Sequence, residues 1–327
     1  AIMANSILTI DMITRKALEI FENSLTVSRN CNRQYDSSFA VEGAKIGSTL
    51  RIRLPDRALV TDGAALQVQD DNEQFTTLTV SSQKHIGINF TSAELTMQLD
   101  DFADRVLKPR ISQLAASIDA DVANAYKSIG QSVGTPGTTP GTSLVLLQAQ
   151  QKLNESAAGM SPRYATVNPA ANAGLVEGMK GLFNPTDTIS KQFKNGMMGT
   201  GVLGYDEINM SQSIKVLTTG TRTNGTVTST VSTQGTSTLS LSGVGASATI
   251  KQGEVFTIAG VFAVHHITKQ STGQLKTFRV VSVPAGGTSL VITPPIIGAQ
   301  GVAPTDAQLQ YKNVDVATAS DTSAITF

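Results

Sequence analysis

Few residues in this chain have the types and spacings that chemistry requires. Residues 199–204, GTGVLG, match the G-x-G-x-x-G pattern of a dinucleotide-binding turn. That turn works only between a buried strand and a helix whose N-terminus faces the pyrophosphate. Here the preceding KQFKNGMM is polar and broken by glycine, and the following YDEINMSQS has no helical apolar period. The segment therefore reads as a flexible loop. His265 and His266 are adjacent, and His85 is the third histidine of the chain. Neighbours on a strand point to opposite faces, so the pair is expected not to share a metal, with one ring exposed and one partly buried. The acid pairs Asp70 and Asp71, and Asp100 and Asp101, fit a solvated loop tip and a helix N-terminus. No G-x-S-x-G elbow, Walker loop, H-E-x-x-H or zinc-spaced Cys/His set is present. No catalytic, cofactor-binding or metal-ligating residue is assigned, and no cofactor is expected.

Composition points the same way. Acidic and basic residues balance at 25 each, and charged residues make up only 15% of 327, against about 25% in ordinary soluble domains. Low charge density with no net charge favours association and lacks the basic surplus of a nucleic-acid binder. The single cysteine, Cys31, rules out an intrachain disulfide framework; it reads as a small buried hydrophobe in a reducing compartment. The first twenty residues lack the cationic start and apolar run of a secretion signal. No apolar run approaches the ~18 residues that span a bilayer.

The elements that position these residues follow from periodicity. Residues 6–22 place Ile10, Ile13, Ala17 and Ile20 at helical spacing, with Ser6 or Thr9 as cap. Residues 23–47 are irregular. STLRIRLPDRALVT alternates as a half-buried strand, FTTLTVSSQKHIGINF returns, and an acidic tip lies between them. DFADRVLKPRISQLAASIDADVANAYKSIG predicts a short helix ending near Leu107, then a second from Pro109 to Ile129 with Gly130 beyond its end. GQSVGTPGTTPGTS is a loop. A helix closed by Gly159, the strand RYATVNP ending at Asn-Pro, and the helix AANAGLVEGMKGLF make an α/β or α+β unit. From 218 to 314, short Thr- and Gly-rich strands with frequent turns predict a small all-β domain.

Three stretches carry a family resemblance. DDFADRVLKPRISQLAASIDADV is similar to the approach to a long spine helix, and RYATVNPAANAGLVEGMKGLFNP to the start of a domain lining capsomer centres. IKQGEVFTIAGVFAVHHITKQSTGQLKTFRVV, running on to VITPPI, is similar to an inserted β-domain with a K-x-G-[DE] turn and an A-G-V bend. In this order they resemble the major capsid proteins of tailed phages, which share the Hong Kong 97 fold, and more narrowly the podovirus-type coat proteins with an inserted β-domain.

The resemblance implies an α+β, Hong Kong 97-like fold: N-terminal arm 1–45, extended hairpin loop 46–92, spine helix of the peripheral domain 93–130, axial domain 131–217, inserted β-domain 218–314, and a return to the core domain at 315–327. Relatives continue well past the β-domain, whereas this chain stops at SDTSAITF. Either further residues follow, or another segment completes the core sheet.

The implied function is a non-enzymatic shell subunit that forms pentamers and hexamers of an icosahedral head around double-stranded DNA. It would assemble in the host bacterial cytoplasm with scaffolding, portal and cement proteins as partners and only weak DNA contact. Arg51, Arg53, Arg57, Asp70, Asp71 and Glu73 are the expected inter-subunit contacts. Some relatives crosslink a loop lysine to an asparagine, but no lysine lies between Lys45 and Lys84, so the shell is expected to be non-covalent. Three rival readings are a bacterial nanocompartment shell, a secreted β-rich adhesin resting on the Thr/Gly-rich block 218–243, and a nucleotide-dependent enzyme resting on GTGVLG alone.

Overall fold

The computed structural model of the chain describes residues 10–32, 49–87, 89, 102–179, 199–228, 234–244, 249–284, 289–298, 305–316 and 323–327. The caps Ser6 and Thr9, most of the arm beyond residue 32, Asp100 and Asp101, and the expected helix end near 183 lie outside them.

The first helix, α1 (Ile10–Ser24), turns Ile13 and Ile20 onto Phe102, Ala103 and Leu107, which are at most 2% exposed. The helix break expected at Pro109 does not occur. Ala103–Leu107 form a π turn in which the Lys108 N–H reaches back five residues to the Ala103 carbonyl. Pro109 then falls in the first turn of α2 (Lys108–Ala123), where its missing N–H costs nothing. The chain stays helical to a 3₁₀ turn at Asn124–Ser128. Gly130 is not a left-handed cap either: a Cβ there would lie 2.6 Å from Pro294 Cδ, so the glycine serves close packing against the β-domain.

Next come α3 (Ser143–Glu155), β3 (Tyr164–Val167) and α4 (Pro169–Gly178). The Asn-Pro break is a helix start, with the Asn168 side chain accepting from Ala171 N at 2.8 Å and proline in the first turn. β3 runs parallel to β5 (Tyr205–Met210), which pairs antiparallel with β4 (Gly199–Val202). The core here is Leu146, Leu175, Met179, Tyr205 and Ile208. The α3 C-terminus is closed by Ala157 rather than Gly159. Ala157 is left-handed (φ 50°), while Ala158 N–H bonds Leu153 O and Ala157 N–H bonds Asn154 O. This is a Schellman motif with alanine where glycine is preferred. Ala157→Gly is therefore expected to stabilise the chain by about 0.5–1 kcal/mol, read as a higher urea midpoint at unchanged m-value.

Seven strands from the last third of the chain form one sheet in the order β11-β8-β9-β10-β7-β6, with β12 also beside β8. They are β6 (Thr226–Val227), β7 (Thr236–Ser242), β8 (Val255–Val264), β9 (Ser271–Ser282), β10 (Ser289–Ile296), β11 (Val314–Val316) and β12 (Ile325–Thr326). Alternation in β7 buries Leu239 and Leu241. In β8 the buried positions are 256 and 258, then 261 and 264, because the register shifts between Thr257 and Phe262 and again between Phe262 and Val264. Gly260 (φ 78°) supplies the first bulge, which re-aims Val261 into the core. Ile325 of β12 joins the same core at 0% exposure.

Candidate functional site: the projecting hairpin and its anchors

Strands β1 (Thr49–Arg53) and β2 (Phe75–Thr79) pair antiparallel from Thr49 opposite Thr79 to Arg53 opposite Phe75. Apolar alternation would bury one face if this hairpin lay on a core. Instead Leu50 and Ile52 are half-buried, every residue of β2 is exposed, and Leu78 is 55% exposed. Further out, Val60, Leu66 and Val68 are 93%, 91% and 84% exposed. A lone two-stranded hairpin is marginal in water, so this one depends on anchors at both ends.

At the stem, Lys84 Nζ donates to Ser117 Oγ (2.6 Å) and Ser117 O (3.1 Å) and pairs with Asp121 (2.6 Å), tying the returning chain to α2. At the tip, the carbonyls of Asp70 and Asn72 accept from Gln310 Nε2 (3.2 Å) and Tyr311 Oη (2.8 Å). Both donors belong to the segment around the short helix α5 (Asp306–Gln310), which precedes β11. Gln69 closes the tip on itself by bonding both the N–H and the carbonyl of Leu59.

All six residues expected to meet other subunits lie exposed on this hairpin. The Arg51 guanidinium lies 3.5 Å from the Phe75 ring centroid. Arg53 pairs with Glu73 at 3.4 Å, a solvated bridge of small worth. Arg57 sits 5.6 Å from the Tyr311 ring. The Asp56 carboxylate beside Asp71 raises the Asp71 pKa by repulsion and by sharing a hydrogen bond, with slight burial and Glu73 adding to the effect.

Three polar anchors hold the rest together: two buried charges, Asp119 and Arg279, and the more exposed pair of Arg29 with Glu207. Asp119, 2% exposed on α2, accepts from Thr26 N (2.8 Å), Thr26 Oγ1 (2.7 Å), Ser28 N (3.0 Å) and Ser28 Oγ (2.5 Å). It fixes the turn that follows α1. Arg29, in the same turn, pairs with Glu207 of β5 at 3.3 Å. Arg279 of β9, 5% exposed, donates to the carbonyls of Ile129, Gly253 (2.6 Å) and Gln131 (3.5 Å) and faces the Tyr126 ring. Its charge thus meets the negative end of the α2 helical run and docks the β-domain there. One signal was available: Asp119 falls four residues after buried Ala115, on the face where a charge needs partners.

Several expectations are corrected. GTGVLG is not a flexible loop. Val202 pairs with Tyr205 around Leu203 (φ 53°) and Gly204 (φ 78°), the two positive φ values of a tight hairpin turn, and a strand rather than a helix follows. His265 and His266 are not on a strand. β8 ends at Val264, and in the turn beyond it the two rings stack at 5.6 Å, both half-buried. Burial, then Arg57, His265 and Lys269, lower the His266 pKa. Cys31 is exposed rather than buried, in the polar turn after α1. Among the described residues no group of His, Cys, Asp and Glu has the arrangement of a metal site, and no helix is long and apolar enough to cross a membrane.

Among solved structures, the chain is similar to the CUS-3 coat protein I-domain, at 30% identity over 34% of this chain and 96% of that one, with a TM-score of 0.22. No curated protein matches it. The family model of the P22 coat protein, gene protein 5, matches residues 3–327. The chain therefore belongs to the P22 coat protein family and is a phage major capsid protein, a structural subunit of the head shell.

Proposed function

We propose that this subunit adopts the Hong Kong 97-like capsid fold and closes, with its copies, into a non-covalent icosahedral shell of pentamers and hexamers around packaged DNA. In this reading residues 1–45 are the arm, 46–92 the extended loop, 93–130 the spine, 131–217 the axial domain, and 218–314 the inserted β-domain. The uncovered hairpin carries the proposal. Val60, Leu66, Val68 and Leu78 are displayed to solvent on an element that, among the described residues, is anchored at stem and tip. Such a surface favours covering by a neighbouring subunit. Contacts of this kind are heterologous, and many weak ones add up around a closed shell.

Arg51, Arg53, Arg57, Asp70, Asp71 and Glu73 then become the charged rim that sets the register between neighbours. Assembly takes place in the host bacterial cytoplasm, with scaffolding, portal and cement proteins as partners.

Arg51→Glu tests the rim. Arg51 is exposed and stabilises little beyond its stacking on Phe75, so the free subunit is expected to keep its urea midpoint. Shell yield by sedimentation is expected to fall about ten-fold, the effect of a like-charge contact of ~1.4 kcal/mol. Unchanged shell yield would remove Arg51 from the interface.

A further inference from the structure

A cavity of 370 Å³ lies where four parts of the chain meet: Arg57 of the hairpin, Lys152 and Glu155 of α3, Lys276 of β9, and Lys312 ahead of β11. His266 also lines it. Four basic side chains thus face one carboxylate among the lining residues. That carboxylate is already engaged, since Glu155 Oε1 accepts from Gln151 Nε2 at 2.7 Å and from Gln274 Nε2 at 3.2 Å. Among the described residues Lys152 donates to the neutral Gln274 Oε1, at 3.3 Å. Lys312 pairs with Asp315 at 3.0 Å. Arg57 faces the Tyr311 ring. Lys276 is half-buried and makes no hydrogen bond or ion pair among the described residues.

Gathering like charges in a partly desolvated space costs free energy unless a counter-charge joins them. The lining is cationic in excess and adds hydroxyl and amide donors from Gln131, Ser156, Thr272 and Asn313. Its complement is therefore a group with several acceptor oxygens and more than one negative charge. A carboxylate carries one charge and would leave most of the excess standing. A phosphate group, with about −1.5 to −2 charge near pH 7 and three or more acceptor oxygens, meets both requirements.

We propose that this cavity is a binding site for a multivalent oxyanion of the phosphate class, bridging the hairpin, α3 and the β-domain. An anion held there ties Arg57 to Lys152, Lys276 and Lys312, so it fastens the projecting hairpin to the body of the subunit. Burial, and then Lys152, lower the Lys276 pKa, as expected of an ammonium that waits for its counter-ion.

The test is calorimetric titration of the full-length, unassembled subunit with pyrophosphate, and separately with a short oligothymidylate, in chloride buffer at matched ionic strength. Saturable binding of pyrophosphate is expected. Loss of one charge-assisted hydrogen bond in Lys276→Gln is expected to weaken it about ten-fold. Lys152→Gln, an independent variant on α3, is expected to weaken it similarly. In chloride alone Lys276→Gln is expected to match or exceed the wild-type melting temperature, because it removes a repulsion, and that controls for folding. Binding of the oligonucleotide alone, lost in the same variants, supports the site and assigns the phosphate to nucleic acid. Heats no larger than those of added chloride, or variants that bind as the wild type does, would overturn the proposal.

Discussion

Glu254→Gln is expected to destabilise the β-domain by about 3–5 kcal/mol. Glu254 is 0% exposed, ahead of β8, and its Oε1 accepts from Arg222 at 2.9 Å and from the backbone N–H of Gly220. Arg222 is itself 10% exposed and lies 4.1 Å from the Phe327 ring. Burial pulls its pKa down, while Glu254 pushes it back up. Removing the carboxylate charge strands a buried guanidinium, and that loss exceeds the net worth of the pair. The double variant Arg222→Met/Glu254→Leu removes both charges at similar volume and is expected to lie within about 1 kcal/mol of the wild type. Urea unfolding of all the variants gives the coupling. A double variant as unstable as the single one would mean that shape, rather than charge, is what Glu254 supplies.

Asp119→Ala is the second large effect, a loss of about 2–4 kcal/mol. It orphans two backbone donors and two hydroxyls that now meet one carboxylate. Burial alone would raise the Asp119 pKa, but the bonds from Ser28 and Thr26 outweigh it, and the pKa lies below the ordinary carboxylate value. A depressed native pKa contributes stability that is fully present above the unfolded value, about 3.9. That contribution is lost as pH falls through the native pKa. The wild type is therefore expected to lose stability below about pH 4 more steeply than Asp119→Asn, which has no such proton to take up. Parallel pH profiles would contradict this account of the turn at Thr26–Ser28.

Local signals were readable in advance. The hairpin and the strand-then-helix order around residue 168 follow from alternation and turn chemistry over a few residues, and the bend in β8 from the family resemblance, whereas Asn168 read as a strand end and is a helix cap. What was missed depends on partners distant in sequence. Pro109 reads as a break unless the chain inserts a π turn before it. Ala157 takes a cap position that residue type alone assigns to Gly159. The K-x-G-[DE] turn was visible, but the partner of its acid lies 32 residues away. Arg279 reaches carbonyls about 150 residues earlier, and Asp119 meets donors 91 and 93 residues away. A single sequence does not expose such pairings, because either member alone reads as a solvated charge.

The rim charges and the exposed apolar hairpin residues make one claim together: the hairpin is an interface awaiting a neighbour. Cryo-electron microscopy of shells assembled from the full chain tests it most directly. The account predicts closed shells in which Val60, Leu66, Val68 and Leu78 of each subunit are buried against an adjacent subunit, with Arg51 and Arg53 at the edge of that contact. Closed shells whose hairpins stay exposed to solvent, touching only their own subunit, would contradict it.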